Sequence, residues 1–159
     1  MSKKNTKGKT PSKSVATHKF DGTLSLVIPC YNEASRVAHL LKTLKSFDQK
    51  WSKPLEIIIV DDGSTDDTAK IIQQQFTNSF GNDTHFNFIP LSQNVGKGGA
   101  LQAGVAAASG DQILTLDADM ATRPQELLKW LKQLPGKTFH SNQVLIGSRE
   151  HHNSEVEAK

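Results

Sequence analysis

Short apolar runs alternate with amphipathic segments along most of this chain. The runs have the length of β-strands and lie at residues 24–28, 55–60, 86–91, 113–116 and 144–146. Between them, apolar side chains recur at spacings of three and four residues, which predicts helices. Because strands and helices alternate, the sequence predicts an α/β fold with a largely parallel sheet and helices on both of its faces.

Local signals predict where several of these elements begin and end. Pro29 is expected to stop the first strand, because proline lacks the N–H group that a strand donates. Ser64 is expected to cap the second helix, with Asp67 at the third helical position. The third helix is expected at residues 100–108, and Pro124 is expected at the first position of the fourth helix.

The residues that follow the predicted strands are chemically unusual. Because parallel strands bring their carboxyl ends to one edge of a sheet, these residues are expected to lie together, where such sheets bind ligands. In strand order they are Tyr31-Asn32-Glu33, Asp61-Asp62, Asn94-Val95-Gly96-Lys97-Gly98-Gly99, Asp117-Ala118-Asp119 and Arg149. Each group alone is common by chance, whereas the ordered set predicts a binding site.

The charges of this set indicate the kind of ligand. Carboxylates one residue apart, as at Asp117 and Asp119, repel each other unless a cation or a hydrogen-bonded ligand lies between them. Lys97 and Arg149 suit phosphate groups. A metal-bound nucleoside diphosphate meets both requirements. The loop is not a Walker P-loop, because Gly98 follows Lys97 where that motif has Ser or Thr.

The net charge of +3 has its origin in the first part of the chain. Residues 1–19 contain six of the 19 basic residues and no acidic residue, so the remainder carries 13 basic against 16 acidic residues. We therefore expect no nucleic-acid binding by the mildly acidic domain. The expected organisation is a disordered basic tail at 1–19, a domain at 20–150 and a polar tail at 151–159. For the basic tail, a solvated segment is favoured over attraction to an anionic membrane.

Cysteine content and hydropathy suggest a location. The single cysteine, Cys30, cannot form an internal disulfide, which fits a reducing compartment. The chain has no run of about 18 apolar residues, and no secretory signal is recognised near its start. We expect a cytoplasmic protein, with peripheral contact to a membrane surface as the further option.

Four of these motifs together resemble glycosyltransferase family 2, the inverting enzymes with the GT-A fold. The motifs are Pro29-Cys30-Tyr31-Asn32-Glu33, Val60-Asp61-Asp62-Gly63-Ser64-Thr65-Asp66, Asn94-Val95-Gly96-Lys97-Gly98-Gly99-Ala100 and Asp117-Ala118-Asp119. Within the family, the glycine-rich loop, the run from Asp117 to Thr122 and the segment Gly147-Ser148-Arg149-Glu150-His151 are most similar to dolichyl-phosphate (polyprenyl-phosphate) β-glucosyltransferases. Dolichyl-phosphate mannose synthases are next. The similarity runs from residue 24 to residue 150.

The resemblance implies a nucleotide-binding pocket. The base and the ribose would contact Pro29, Tyr31 and Glu33. Asp61 or Asp62 would accept a hydrogen bond from the base, and Lys97 would lie near the nucleotide. The resemblance does not decide between the two aspartates, or between UDP and GDP.

The resemblance also implies three catalytic residues. Asp117 would face the ribose and the sugar, and Asp119 would hold Mg²⁺ or Mn²⁺ on the diphosphate. Arg149 would contact the acceptor phosphate or the diphosphate.

The implied activity is the transfer of a hexose, with inversion, from a nucleotide sugar to a prenyl-phosphate-type or other acceptor. Glucose from UDP-glucose is favoured, and mannose from GDP-mannose is next. Family members generally continue well past the Gly147-Ser148-Arg149 segment, so the chain is expected to be a truncated, nucleotide-binding half. One alternative is a nucleotide-binding remnant without turnover, or one part of a split enzyme. Another is a receiver-like signalling domain, which the glycine-rich lysine loop fits poorly.

Overall fold

The computed structural model of the chain describes residues 22–133 and, for the backbone alone, two short strands at 17–19 and 138–140. The predicted strand at 144–146, Arg149 and the polar tail at 151–159 lie outside the described residues, as does most of the basic tail. The elements, in chain order, are β1 (Thr17–Lys19), β2 (Leu24–Cys30), α1 (Val37–Asp48), β3 (Leu55–Asp61), α2 (Thr68–Phe76), β4 (Thr84–Pro90), α3 (Gly96–Ala107), β5 (Gln112–Thr115), α4 (Gln125–Gln133) and β6 (Thr138–His140).

Two units make up the described part of the chain. One contains β1 and β6, which pair antiparallel with Thr17 opposite His140. The sequence assigned residues 17–19 to the basic tail, whereas the structure has a strand there. The other unit, residues 21–133, contains the remaining strands and all four helices.

The larger unit is built on a parallel sheet with the strand order β4-β3-β2-β5. From β2 the chain moves outward through β3 to β4, and then returns to add β5 on the other side of β2. Because parallel crossovers are right-handed, α1 and α2 cover one face and α3 covers the other. The predicted parallel α/β sheet with helices on both faces is therefore confirmed.

Strand β3 is central, and its burial explains its composition. All seven residues from Leu55 to Asp61 are buried. Ile58 and Val60 pack with Val27 and Ala100 of α3 in one apolar cluster. Apolar and polar residues do not alternate along this strand, and from this the sequence predicted that both faces of the strand are buried. The central position of β3 explains the pattern, because helices cover both faces there.

Pro29 does not end β2, which continues to Cys30. The carbonyl of Val27 accepts the N–H of Leu116 on the β5 side, at 3.0 Å. Alternate residues of a parallel strand bond to the same neighbour, so the nitrogen of Pro29 also faces the β5 side. Strand β5 pairs only as far as Thr115 opposite Val27, so no ladder bond is lost at Pro29.

The predicted cap of α2 is wrong. The helix begins at Thr68, four residues after Ser64, and its N-cap Asp67 makes no side-chain cap hydrogen bond. The hydroxyl of Ser64 instead accepts the N–H of Asn32, at 2.9 Å. A contact between two loops has therefore replaced the local cap that the sequence pattern predicted.

Two other helix starts differ slightly from prediction. Helix α3 begins at Gly96 rather than at residue 100, so the glycine-rich loop forms its first turn. Helix α4 begins at Gln125, directly after Pro124. Pro124 therefore lies one residue before the helix rather than at its first position.

Candidate functional site

The predicted strand ends converge on a cleft of about 370 Å³ at the carboxyl edge of the sheet. The cleft is lined by Pro29, Cys30, Tyr31, Glu33, Arg36, Asp62, Asn94, Gly96, Lys97, Asp117, Ala118 and Asp119. It includes the ends of the neighbouring strands β2 and β5. The chain places β3 and β4 on one side of β2 and β5 on the other, so the strand order reverses between β2 and β5. Such reversal points are the usual ligand sites of open α/β sheets.

Most of the residues predicted from the sequence lie in this cleft. The exceptions are Asp61, which does not line it, and Arg149, which lies outside the described residues. Five lining residues were not predicted individually as site residues: Cys30, Arg36, Asn94, Gly96 and Ala118. The i, i+3 spacing of Glu33 and Arg36 was a signal for an ion pair that could have identified one of them.

The neighbours Asp61 and Asp62 have different environments, because successive side chains of a strand point to opposite faces. Asp62 lines the cleft, and its Oδ1 accepts the N–H of Val95 at 2.8 Å. In Asp61, Oδ2 accepts the N–H of Ser64 at 3.2 Å, while the buried Oδ1 has no hydrogen-bond partner in the described structure. Of the two acids, Asp62 is therefore the one whose side chain reaches the cleft.

A lysine and an aspartate pair at the exposed side of the cleft. The Nζ of Lys97, from the first turn of α3, lies 2.5 Å from Oδ1 of Asp117, which follows β5. Both side chains are more than half exposed. The pair brings a cation and an anion from separate loops to one place in the cleft.

A tight turn presents the two carboxylates that follow β5. The N–H of Met120 donates to the carbonyl of Asp117 at 3.0 Å, and Met120 has a φ of 53° although it is not glycine. The buried side chain of Met120 stabilises this conformation, which L-residues rarely adopt. The turn also orients Asp119, whose Oδ1 accepts the N–H of Ala121 at 2.9 Å.

The donor set of this turn fits a magnesium or manganese ion that also binds phosphate. Among residues 22–133, no three His, Cys, Asp or Glu side chains form a complete cation site. Mg²⁺ is usually held by one or two carboxylates, with phosphate oxygens and water completing its shell. Asp117 and Asp119 supply that number of carboxylates in the cleft.

Asn32 connects the loop after β2 to the loop after β3. Its φ of 53° lies in the left-handed region, which asparagine tolerates better than most residues. Its Oδ1 accepts the N–H of Thr65 at 2.8 Å, and its own N–H donates to Oγ of Ser64 at 2.9 Å. These bonds fix the backbone between Tyr31 and Glu33, and both of those residues line the cleft.

A second set of hydrogen bonds continues this connection. The N–H of Glu33 donates to Oγ1 of Thr68 at 2.7 Å, and the N–H of Ala34 donates to Oδ2 of Asp66 at 3.2 Å. Burial opposes ionisation of Asp66, but hydrogen bonds from Thr68 and Ala34 outweigh it and hold the pKa of Asp66 below its ordinary value. Ser64 and Asp66 therefore hold the loop after β3 to the loop after β2.

Glu33 is paired within the cleft wall. The Nη1 of Arg36 lies 3.0 Å from Oε1 and 3.0 Å from Oε2 of Glu33.

The Cys30 thiol, which also lines the cleft, is hard to ionise. Burial is the main cause that raises the pKa of the Cys30 thiol to about 12, and the charges of Glu33 and Asp61 add to it. Cys30 is therefore a neutral thiol at physiological pH and not a nucleophile.

Glycines shape the first turn of α3 in two ways. Gly96 has a φ of 82°, which favours glycine. A Cβ atom at Gly99 would lie 2.7 Å from Cγ2 of Val95, whereas a Cβ atom at Gly98 would have no neighbour within 4 Å. Gly99 thus leaves room for Val95, whose N–H bonds to Asp62.

A family comparison agrees with this geometry. The sequence model described as "Glycosyl transferase family 2" matches residues 25–158. The chain belongs to glycosyl transferase family 2. The resemblance inferred from the strand-end motifs is therefore confirmed.

Curated relatives include enzymes named for prenyl-phosphate substrates. Dolichyl-phosphate beta-glucosyltransferase of Homo sapiens is 37% identical over 135 residues, which cover 80% of this chain and 41% of the human protein. Undecaprenyl-phosphate 4-deoxy-4-formamido-L-arabinose transferase of Salmonella choleraesuis is 36% identical over 104 residues, covering 65% of this chain and 31% of that protein. The chain thus spans about a third of the length of the curated relatives it matches.

Solved structures of similar fold contain nucleotide sugars. S. aureus TarS 1–349 in complex with UDP-GlcNAc has a TM-score of 0.57 and 26% identity, with 69% of this chain and 30% of that chain covered. Mannosyltransferase PcManGT from Pyrobaculum calidifontis, in complex with GDP-Man and Mn²⁺, has a TM-score of 0.57 and 25% identity, with 77% and 36% covered. The predicted GT-A architecture is confirmed by these neighbours.

None of the helices in the described part of the chain combines the length and the hydropathy that a bilayer crossing requires.

Proposed function

We propose that this family 2 chain carries the donor site of an inverting glycosyltransferase. The enzyme transfers a hexose from a nucleoside diphosphate sugar to a polyprenyl-phosphate-type acceptor. The observation that carries the proposal is the meeting of Asp62, Lys97, Asp117 and Asp119 in one cleft at the reversal point of the sheet. These side chains offer an acceptor for the base, a cation for phosphate and carboxylates for a metal ion.

For the base, the contacts of Asp62 favour uracil. One carboxylate oxygen already accepts the N–H of Val95, at 2.8 Å, which leaves the other oxygen for a ligand. Uracil presents a single N–H between two carbonyl groups, whereas guanine presents an N–H and an adjacent amino group. A single open oxygen matches the uracil pattern better, so UDP is the proposed nucleotide and GDP the second choice. Pro29, Tyr31 and Glu33 line the same part of the cleft and would contact the base and the ribose.

For the metal ion, Asp119 would be the principal ligand, beside Asp117. A bound Mg²⁺ or Mn²⁺ supplies Lewis-acid stabilisation of the negative charge on the leaving diphosphate. Lys97 adds a positive charge in the same cleft. The residues of the chain thus orient the diphosphate and offset its charge.

For the acceptor, a phosphate group simplifies the chemistry. A hydroxyl acceptor needs a general base to remove its proton, but a prenyl phosphate is already ionised at neutral pH. Its oxygen attacks the anomeric carbon from the side opposite to the diphosphate, which inverts the configuration. Arg149, outside the described residues, stays a predicted contact for the acceptor phosphate or the diphosphate.

For the sugar, glucose is the first choice and mannose the second. The human dolichyl-phosphate beta-glucosyltransferase matches 80% of this chain, which supports glucose. The mannosyltransferase with GDP-Man keeps mannose as the next candidate. A prenyl-phosphate acceptor also implies work at a membrane surface, where the basic residues of 1–19 would favour anionic lipid.

The first test is calorimetric titration of the chain with UDP and with GDP, each with and without Mn²⁺. UDP is expected to bind more tightly than GDP, and Mn²⁺ is expected to tighten its binding. In Asp119→Ala the gain from Mn²⁺ should disappear, because the principal metal ligand is lost. Asp83→Ala, which removes an exposed carboxylate outside the cleft, is the matched control and should keep the gain.

Two results would contradict parts of this proposal. Mn²⁺-dependent binding that is unchanged in Asp119→Ala would remove the metal assignment. Transfer is tested separately, with labelled UDP-glucose and dolichyl phosphate as substrates. Nucleotide binding without transfer to any prenyl phosphate would favour the alternative of a nucleotide-binding module or one part of a split enzyme.

A further inference from the structure

We propose that Lys97 and Asp117 pair only in the nucleotide-free protein, and that Lys97 competes with the divalent cation for the Asp117 carboxylate. This inference rests on the nucleotide and metal site proposed above. The Nζ of Lys97 and Oδ1 of Asp117 are 2.5 Å apart, and both residues line the cleft. A metal-bound diphosphate would bind the same two groups, its phosphate the ammonium and its cation the carboxylate. Each of these contacts therefore competes with the ion pair between Lys97 and Asp117.

The pair is easily exchanged because it is open to water. The side chains of Lys97 and Asp117 are 62% and 54% exposed. Exposed ion pairs contribute little to stability, since both charges stay hydrated and long side chains lose freedom when they pair. A diphosphate, with more than one negative charge, would attract the lysine more strongly than a single carboxylate does.

Exchange requires only side-chain movement. Lys97 lies in the first turn of α3, and its four-carbon chain can turn toward a phosphate without a change in the helix. The backbone of Asp117 is fixed by the hydrogen bond from Met120 to its carbonyl. The backbone that carries Asp117 therefore keeps its place when the lysine leaves, and the carboxylate becomes available to a cation in the cleft.

This arrangement couples the two ligands. When the diphosphate draws Lys97 away, Asp117 is released for the cation, and the cost of breaking the pair is incurred only once. Each ligand should therefore tighten the binding of the other by the same factor. In the absence of nucleotide, Lys97 holds Asp117 and keeps the affinity for the cation low.

The test compares the wild-type chain with Lys97→Met, which keeps the length of the side chain and removes its charge. Binding of Mn²⁺ alone, measured from the EPR signal of the free ion, is expected to become about two- to five-fold tighter, the range that an exposed ion pair allows. Binding of UDP alone, measured in EDTA, is expected to become about tenfold weaker, because a charge-assisted phosphate contact is lost. A general structural disturbance would not change the two affinities in opposite directions.

A double-mutant cycle separates the specific pair from a general effect of charge. In an Asp117→Asn background, Lys97→Met should no longer improve the binding of Mn²⁺, because the carboxylate for which it competed is absent. Lys97→Arg, which keeps the charge, should bind Mn²⁺ as the wild type does. Lys42→Met, at an exposed lysine of α1 outside the cleft, should have no effect.

The outcomes distinguish this inference from the function on which it rests. If the wild-type chain binds neither UDP nor Mn²⁺ under any of these conditions, the proposed donor site is wrong and the inference with it. If the wild type binds UDP with Mn²⁺ but Lys97→Met shows no gain in Mn²⁺ affinity, only the competition is disproved. A gain that persists in the Asp117→Asn background would disprove it as well.

Discussion

Buried acids occur at both edges of the parallel sheet, but their surroundings differ. At the amino edge, Glu56 is buried, and each of its carboxylate oxygens accepts hydrogen bonds from the protein. Its Oε2 accepts from Oγ of Ser25 at 2.5 Å and from the N–H of Ser109 at 2.9 Å, and its Oε1 accepts from Oγ of Ser109 at 3.0 Å. At the carboxyl edge, Asp62 receives a single bond, from Val95.

The difference separates an acid that holds the fold from an acid that lines the cleft of the proposed donor site. Glu56 connects β3 to β2 and to the segment between α3 and β5, and its full set of donors compensates for the loss of water. Asp62 has one carboxylate oxygen bonded to Val95, and its other oxygen is available to a ligand in the proposed donor site. Incomplete hydrogen bonds alone do not identify such an acid, because the buried Asp61 also has an oxygen without a partner in the described structure and does not line the cleft.

The largest expected effect comes from removing the acid at the amino edge. In Glu56→Ala, the donors of Ser25 and Ser109 lose their charged partner, and the free energy of unfolding should fall by about 3 kcal/mol. Chemical denaturation measures this loss. UDP binding by the remaining folded protein should be unchanged, because Glu56 lies at the edge opposite to the cleft.

A matched control is an acid of similar type on the surface. Glu126 forms an i, i+3 pair with Lys129 at 2.8 Å on α4. Glu126→Ala should cost only about 0.3 kcal/mol. A loss in Glu56→Ala as small as that of the control would contradict the structural role assigned to Glu56.

The next effect concerns the carboxyl edge of the sheet. There Gly99 leaves room for Val95, whose N–H donates to Asp62. In Gly99→Ala, the new methyl group would lie 2.7 Å from Cγ2 of Val95. Displacement of Val95 should lower the free energy of unfolding by about 1 kcal/mol, the low end of the overpacking range because Val95 is 50% exposed, and should weaken UDP binding, since the Val95 N–H bonds to Asp62. Denaturation and calorimetry measure the two effects.

Gly98→Ala is the comparison variant for that experiment. An added Cβ atom there has no protein neighbour within 4 Å, so stability should be unchanged or slightly higher, by up to about 0.5 kcal/mol. Equal destabilisation by the two substitutions would mean that contact with Val95 is not the reason for glycine at position 99.

The smallest effect is a dependence of stability on pH. Burial disfavours the charged form of Glu56, but the hydrogen bonds from Ser25 and Ser109 outweigh it and lower the pKa of Glu56. A lowered folded-state pKa contributes stability above the unfolded-state pKa of about 4.3, and this contribution is lost as the pH falls through the folded-state pKa. The denaturant concentration at the midpoint of unfolding should therefore decrease as the pH is lowered from about 5 to about 3. In Glu56→Gln this decrease should be smaller. An equal fall in both proteins would assign the effect to other acids, such as Asp66.

Several features of the fold and the site could be predicted because they depend on local sequence. The apolar run at Ile57–Val60 predicted a strand covered on both faces, and β3 is central and buried. The acids after β3 and β5 predicted a cleft at one edge, since parallel strands must end together. Asp62, Lys97, Asp117 and Asp119 do line it.

Other features could not be predicted, because they depend on partners that are distant along the chain. Ser64 has the pattern of a helix cap, but Asn32, 32 residues earlier, takes its hydroxyl. Pro29 has the pattern of a strand end, but β5 stops pairing before its nitrogen would need a partner. In both cases, a segment distant in the chain but close in space decided the structure, and the local sequence pattern did not.

The sequence by itself therefore determined the order of the elements from β2 to α4, the parallel sheet and the family, since each follows from local periodicity and from motifs at strand ends. Only the tertiary structure decided that Asp62 and not Asp61 reaches the cleft, and that Lys97 meets Asp117. The physical reason is that the direction of a side chain and its hydrogen-bond partners are set by the packing of segments far apart in the chain. Composition and spacing record which groups are present, but not which of them the fold leaves open to a ligand.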